Sequence, residues 1–318
     1  MLLRVVANTK IPMELTMPVE ASKPRVSVGM PVYNGKAFLA QSIESVLGQT
    51  YANLELIVSD NGSTDGTPEI AQDYARRDRR VRFVRTEENR GAAWNYRRTF
   101  DLARGEFFRW APADDLFAPD SIAVCVAALD ADPDAVLCYP KTELIDPEGR
   151  VIRGYDDNLD LRASDPAERL ARAMAQIGLV NVIYGLMRTA ALGKTRLMGT
   201  FVGADEVLVF ELALQGKFLE LPTSRFYRRI HENAFSQMAT TEQKQAFFDP
   251  RKTGRFSPRL WEHYRQCLHG VVHAPISAAA KWRAIGVLVR SAIAVRRDLM
   301  REVAAGARRA ARPKLFGL

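Results

Sequence analysis

Val28-Gly29-Met30-Pro31-Val32-Tyr33-Asn34-Gly35, followed by Leu54-Glu55-Leu56-Ile57-Val58-Ser59-Asp60-Asn61-Gly62-Ser63-Thr64-Asp65-Gly66, decides how this chain is read. Each segment begins as an apolar, β-branched run and ends in a polar, turn-forming cluster, the pattern of a strand that delivers a loop. A third unit of the same kind ends in Ala111-Pro112-Ala113-Asp114-Asp115. The pattern predicts strands over Val26–Met30, Leu54–Val58, Val81–Arg85 and Glu106–Trp110. Between them, Phe38, Leu39, Ile43, Val46 and Leu47 fall at helical spacing up to Gly48. Thr67-Pro68 reads as the cap and first residue of a helix to about Arg77, and Ala92–Ala103 as a helix stopped before Gly105. Alternation of this kind argues for an α/β fold with a mostly parallel sheet. In such sheets the loops at the carboxyl ends of the strands meet in one crevice, where ligands bind. Asp60 and the Asp114-Asp115 pair are therefore expected to share a cleft suited to a nucleotide and a divalent cation.

The pattern continues with a helix over Pro119–Asp130, a strand over Ala135–Tyr139 and a hairpin over Glu143–Ile152 turning at Pro147-Glu148-Gly149. An amphipathic helix over Pro166–Gly178, an apolar strand over Val180–Met187 and a helix over Asp205–Gln215 follow. Beyond Asn233 strand signals fade and the remainder reads as helical. The organisation expected is an N-terminal arm over residues 1–24, an α/β domain over 25–235 and a helical extension with a basic tail over 236–318. At 318 residues, with 47% hydrophobic and 26% charged, the chain has the composition of a globular protein with a substantial core. Three cysteines, Cys125, Cys138 and Cys267, are odd in number and not closely paired, which fits a reducing cytoplasm. Neither a signal peptide nor an apolar run of membrane-spanning length is read.

Each candidate residue also has a plain structural reading. Asp60 beside Asn61-Gly62 suits a turn, since Asx side chains bond their own backbone; at the crevice edge it would instead accept the imide N–H of uracil or thymine. Adjacent carboxylates such as Asp114-Asp115 repel unless a cation compensates, and Mg2+ or Mn2+ binds through one or two carboxylates plus substrate phosphates. The alternative is a helix N-terminus, with Asp120 as cap. Asp205 reads equally as a cap or as a base. Arg228-Arg229-Ile230-His231 is a solvated basic turn or a set of phosphate and metal partners. His263, His269 and His273 gather around Cys267 without acidic context, and packing or surface placement is favoured for them.

These segments, with Ser42–Tyr51, Asn89-Arg90-Gly91 through Asn95, and Ala103-Arg104-Gly105-Glu106 leading to Asp114-Asp115, resemble the family 2 glycosyltransferases of the GT-A fold over about residues 25–235. The resemblance implies a Rossmann-like, mixed but mostly parallel sheet flanked by helices, and an inverting, nucleotide-sugar-dependent transferase. It implies that Pro31 and Tyr33 lie against the base, that Asp60 holds its imide edge and that Asn95 stands near the donor. Asp114 would lie at the ribose and Asp115 at the metal, with Asp114 or His231 as further ligands and Arg228 or Arg229 at the diphosphate. Asp205 matches the catalytic base, Glu206 facing elsewhere. Many members show Asp-x-Asp-Asp where this chain has Pro112-Ala113-Asp114-Asp115. A scaffold that binds a nucleotide sugar without transferring it is the alternative; a nucleotidyltransferase is disfavoured, because the Gly-rich, Lys-containing loop it would need near the N-terminus is absent.

Ten Lys and Arg lie between Lys281 and Leu318 against Asp298 and Glu302, a surplus equal to the whole net charge of +8. With Trp282, Ile285, Val289, Ile293 and Leu299 at helical spacing, this segment is expected to rest on an anionic membrane surface, near a saccharide or lipid-linked acceptor. A solvated terminus would carry the same charge, and no nucleic acid partner is expected. The place implied is the cytoplasm, at the inner face of the membrane.

Overall fold

The structure is a computed structural model and describes residues 23–232, 234–252 and 258–310. Most of the expected N-terminal arm and the last residues of the basic tail lie outside the described residues. The first half runs β1 (Val26–Val32), α1 (Leu39–Leu47), β2 (Leu54–Asp60), α2 (Thr67–Arg77), β3 (Val81–Arg85), α3 (Ala92–Asp101), β4 (Phe107–Trp110), β5 (Leu116–Phe117) and α4 (Ser121–Ala131). Then come β6 (Ala135–Ile145), β7 (Val151–Tyr155), α5 (Pro166–Gln176), β8 (Leu186–Arg188), α6 (Thr189–Leu192), α7 (Ala204–Gln215) and β9 (Lys217–Arg229). Helices α8 (Thr241–Phe248), α9 (Arg259–His273), α10 (Ala278–Ala294) and α11 (Arg296–Ala310) complete it, as the fading strand signal predicts.

The strands form one sheet in the order β3-β2-β1-β4-β8-β6-β9-β5, with β7 paired to β6. β3, β2, β1 and β4 are parallel, as are β6 and β9, while β8 runs antiparallel between β4 and β6. The fold is thus the mixed, mostly parallel α/β architecture expected. Strand alternation separates two cores: Phe107 and Ala111 face the layer of α1 and α4, whereas Phe108 and Trp110 face the layer of α3, α5 and α7. β2 is buried along its whole length, which is why its apolar run hardly alternates. Its one charged interior residue, Glu55, is pushed up by burial, but hydrogen bonds from Arg104, Ser27 and Arg82 outweigh this and hold the carboxyl below its usual range. That cluster closes the amino end of the sheet and leaves the carboxyl end free for the loops.

Two glycines set how closely the elements approach. A Cβ at Gly29, in the central strand, would stand 2.6 Å from Thr99 Oγ1 and 2.8 Å from the Phe108 ring, so α3 seats directly on β1. Gly91, at φ 88° and ψ 156°, occupies a region only glycine enters cheaply, and a Cβ there would collide with the Phe248 carbonyl oxygen. We expect Gly91→Ala to cost ~1–3 kcal/mol of stability, measured as a lowered urea midpoint; an unchanged midpoint would refute the strain at this position.

Several expectations are corrected. Val180–Met187 is not a strand: Val180 is left-handed at φ 60°, Asn181–Tyr184 is a 3-10 turn, and only Leu186–Arg188 pairs in the sheet. A short apolar run reports burial and does not discriminate strand from turn. Two strands had no sequence expectation, β5 and the long β9, whose Pro222 and shifted register against β6 interrupt the usual alternation. The cap of α2 is Gly66, with Thr67 already helical and its hydroxyl donating to Asp65 Oδ1 at 2.6 Å. Asp120 stands at the cap position of α4, yet its carboxylate accepts from Arg225 Nε at 2.8 Å and makes no cap bond. In the extension Leu299 is buried and Ile285 half-buried, so neither belongs to an exposed stripe with Trp282.

Candidate active site

Pairing places the three predicted loops side by side. Val32 is opposite Asp60 in the β1–β2 ladder, and β4 pairs on the other side of β1, its exit fixed by the Ala111 N–H donating to Gly29 O at 2.9 Å. Asp60 and Asp114-Asp115 therefore leave the same edge of the sheet, flanking β1, as their shared cleft requires.

The first two loops are stitched together. Asn34 N–H donates to Ser63 Oγ at 2.8 Å, Thr64 N–H to Asn34 Oδ1 at 2.9 Å and Gly35 N–H to Thr67 Oγ1 at 2.9 Å. Pro31, the last but one residue of β1, is half-buried, and Tyr33 beyond the strand projects with 48% of its surface exposed. Asp60 is fully buried, and its carboxylate takes the Ser63 N–H at 3.2 Å and lies 3.1 Å from Arg85 Nε. It closes the turn that its neighbours predict, with Arg85 against its carboxylate. Asn95 is buried beneath, its amide spent on Ser59 Oγ (2.6 Å), Ser59 O (2.8 Å) and Val32 O (3.3 Å), clipping the ends of β1 and β2 together.

The acidic loop meets a segment more than a hundred positions away. Pairing of Leu116-Phe117 with Tyr227 and Phe226 brings the end of β9 against Asp114-Asp115. Asp115 Oδ1 accepts the Arg229 N–H at 2.7 Å, and Asp114 Oδ2 lies 2.9 Å from His231 Nε2. Burial and the neighbouring Asp114 charge push the Asp115 carboxyl well above its ordinary value, with the Arg229 N–H, Arg228 and Arg229 only partly offsetting this. Alternation along β9 sends the two arginines to opposite sides. Arg229 is buried and wholly engaged: Asp114 O at 2.8 Å, Asp146 O at 3.2 Å, Pro147 O, Gln41 Oε1 at 2.9 Å, and the Phe38 ring 4.6 Å away. Arg228 is held by Leu179 O at 2.8 Å and Asn181 Oδ1 at 2.6 Å, and its charge is felt by Asp115, Asp205, Asp157 and Tyr184 alike. It is the cation common to the acidic loop and to α7.

Asp205 is in the first turn of α7, behind the left-handed Gly203 that caps the helix, and its Oδ1 accepts the Glu206 N–H at 3.1 Å. Burial pushes its carboxyl up; the Glu206 N–H, Arg228 and Arg259 pull it back. A carboxylate poised upward suits proton abstraction near neutrality. Glu206 turns away to His263, Oε2 to Nδ1 3.7 Å. Burial holds His263 down to about 4 and, with the Asp205 charge, lifts Glu206 to about 7, so the contact joins a carboxyl group to a neutral imidazole.

Sequence reasoning missed Tyr96, Tyr184, Asp157 and Asn181. Both tyrosine hydroxyls are raised by burial and feel Asp114 and Asp115, which puts them beside the acidic loop. Nothing local marks them, since Tyr184 sits in an apolar run and Asp157 beyond a hairpin. Burial lifts Asp157 to about 7 despite the Asn181 N–H at 3.3 Å. Because the folded chain holds this proton more tightly than the unfolded one, stability is full below the ordinary carboxyl range and is lost as pH rises towards about 7. We expect Asp157→Asn to flatten that decline, worth up to ~1.4 kcal/mol per pH unit, in urea titrations between about pH 4 and 7; parallel curves would refute it.

The donor chemistry suits a hard divalent ion: two carboxylates, a raised and undercompensated Asp115, and an imidazole beside them. Among the described residues no group of three such side chains stands ready-made around one point. Sites of this kind complete their shell with substrate phosphate oxygens and water.

Residues 27–181 match the family model described as Glycosyl transferase family 2. An uncharacterized glycosyltransferase of Rickettsia typhi is 31% identical over 211 residues, 65% of this chain and 62% of that protein. Chondroitin synthase of Escherichia coli is 33% identical over 134 residues, 42% of this chain and 19% of that one. A putative teichuronic acid biosynthesis glycosyltransferase of Bacillus subtilis, TuaG, is 37% identical over 100 residues, covering 31% and 40%. The chain thus spans less than two thirds of the length of these relatives. Among solved structures, S. aureus TarS in complex with UDP superposes with a TM-score of 0.60 at 16% identity, over 84% of this chain and 72% of that one. The mannosyltransferase PcManGT of Pyrobaculum calidifontis, in complex with GDP-Man and Mn2+, gives 0.50 at 19% identity, over 92% and 82%. At these identities the likeness establishes the GT-A fold alone.

Proposed function

Residues 27–181 belong to glycosyl transferase family 2, and from that premise we propose that the chain moves a sugar from a nucleoside-diphosphate sugar to an acceptor hydroxyl, inverting the anomeric centre, in the synthesis of a cell-envelope polysaccharide or glycolipid. The observation that carries the reading is the convergence of Asp60, Asp114-Asp115, Arg228 and Asp205 at one end of one sheet. UDP in TarS and GDP-Man in PcManGT support the donor class.

Tyr33 and Pro31 offer an apolar wall to the base, and Asp60 an acceptor to its imide edge. Asp114 and Asp115, with His231 beside them, would hold a divalent cation, Mg2+ or Mn2+, which supplies electrostatic relief to the diphosphate when bound. Arg228 adds a fixed positive charge where negative charge gathers on the leaving group, in a site whose burial magnifies it. Asp205 takes the proton of the attacking hydroxyl, and a single displacement follows. Asn95 and Arg229 act beneath the surface, one holding the strand ends and the other the acidic loop.

A cytoplasmic site at the inner membrane face, with a saccharide or lipid-linked acceptor and an anionic membrane as the surface worked upon, completes the proposal. Among the described residues no helix is long and apolar enough to cross a membrane. The test is a panel of nucleotide sugars with Mg2+ or Mn2+, read by thermal shift and by release of nucleoside diphosphate in the presence of oligosaccharide or polyprenyl-phosphate acceptors. Stabilisation with release supports transfer. Stabilisation without release leaves a nucleotide-sugar-binding protein, and neither response removes the reading.

A further inference from the structure

Among the described residues, eleven large apolar side chains are exposed, and eight of them lie on α9, α10 and α11. Their spacing is regular. On α9 they are Trp261, Leu268 and Val272; on α10 they are Trp282, Val289 and Ile293. Each set falls at i, i+7 and i+11, which returns to one line along a helix. On both helices this line is opposite the buried face. Cys267, Gly270 and Val271 of α9 turn inward, Gly270 lying against Glu211 of α7, while Ala284, Val287 and Leu288 of α10 turn to the core shared with α5.

The two helices are neighbours, joined by Tyr264 Oη and Ser291 Oγ at 2.7 Å and by Lys281 Nζ donating to Val272 O at 2.6 Å. The stripes are thus carried by adjoining helices, each on the side away from the core, and the Trp261 end of the α9 stripe borders α11, its Nε1–H donating to Leu299 O at 3.0 Å. Trp282, 73% exposed, is its most prominent residue. A helix apolar on its outer as well as its inner face has a second partner to satisfy.

Charge identifies that partner. Arg290, Arg296 and Arg297 flank the stripes and make no ion pair among the described residues, and Arg308, Arg309, Arg312 and Lys314 follow in the sequence. A second copy of the chain would set this surplus against itself. A bilayer with anionic headgroups accepts both components, tryptophan and aliphatic side chains at the acyl boundary and guanidinium groups among the phosphates. We infer that the outer face of α9 and α10, not the basic tail alone, is a docking surface for anionic lipid. The inference rests on the membrane part of the proposed function and deepens it by naming the face; vesicle binding and nucleoside diphosphate release are separate readouts, so either can fail without the other.

The experiment is co-sedimentation of the full chain with vesicles of phosphatidylcholine alone or mixed with phosphatidylglycerol. Preferential binding to the mixed vesicles is expected, weakening with salt, with Trp261 and Trp282 fluorescence quenched by brominated lipid. Trp282→Glu/Ile293→Glu and Trp261→Glu/Leu268→Glu should each lower binding at least about tenfold, since each removes two inserted side chains. Arg290→Glu/Arg297→Glu should lower it by about fivefold or more per site. All replaced side chains are exposed, and unchanged circular dichroism will confirm folding. No binding to the anionic vesicles, or full binding by either apolar variant, overturns the shared face. A dimer seen by light scattering and abolished by Trp282→Glu would assign the surface to a second copy instead.

Discussion

Replacing Asp205 with asparagine should lower turnover by about 10²–10⁴-fold while nucleotide-sugar affinity changes little. The substitution is nearly isosteric, and Asn Oδ1 can keep the Glu206 N–H that Asp205 Oδ1 accepts at 3.1 Å. What would disappear is the carboxylate proposed to receive the acceptor's proton. The pH profile adds a signature. Burial raises the Asp205 carboxyl, so wild-type turnover should climb with pH through that elevated pKa, and the residual activity of the variant should lack the step. Turnover within a few-fold of wild type, or an unaltered profile, would transfer the role to another group, Glu206 being the next to test.

Asp115→Asn should have an effect of similar size by a different route. Its Oδ1 accepts the Arg229 N–H at 2.7 Å, a bond the amide oxygen preserves, so the loop should remain in place. The lost charge is the one strained by burial and by Asp114, so its removal should relieve the fold even as it weakens the proposed cation site. We expect divalent-dependent donor binding to fall sharply and kcat/KM to drop roughly 10²–10⁴-fold, matching the several kcal/mol such an ion contributes. Calorimetry of a nucleotide sugar with and without Mn2+ checks it. Equal Mn2+ dependence in the variant and the wild type would put the ion elsewhere.

The two halves of this site differ in how visibly they are written. Asp60 and Asp114-Asp115 each close a strand-then-turn segment, a local signal, and pairing of β1 with β2 and β4 follows from the alternation around them. Residues 228–231 carry no such signal, because their place depends on β9, whose proline and register shifts hide it, and on its contact with the distant pair Leu116-Phe117. The distinction between Arg228 and Arg229 is likewise invisible in one dimension. Only the strand's alternation and the ring of carbonyls around Arg229 show that this cation is a strut of the acidic loop, while Arg228 is held separately by Leu179 O and Asn181 Oδ1. Val180–Met187 misleads for the opposite reason: its apolar run is real, but it lines a turn.

The bond between Arg229 and Asp115 spans 114 positions, and that span bears on the order of assembly. Closing so long a loop is entropically slow relative to hairpins and adjacent strand pairs, so the acidic loop receives its counter-charges only after β9 has docked. The segment that matches the family model, residues 27–181, ends before that event. A nascent chain of that length would carry Asp60 with its Arg85 partner but the Asp114-Asp115 pair without Arg229 and His231, so the acidic loop would be completed late, with the last strand of the sheet.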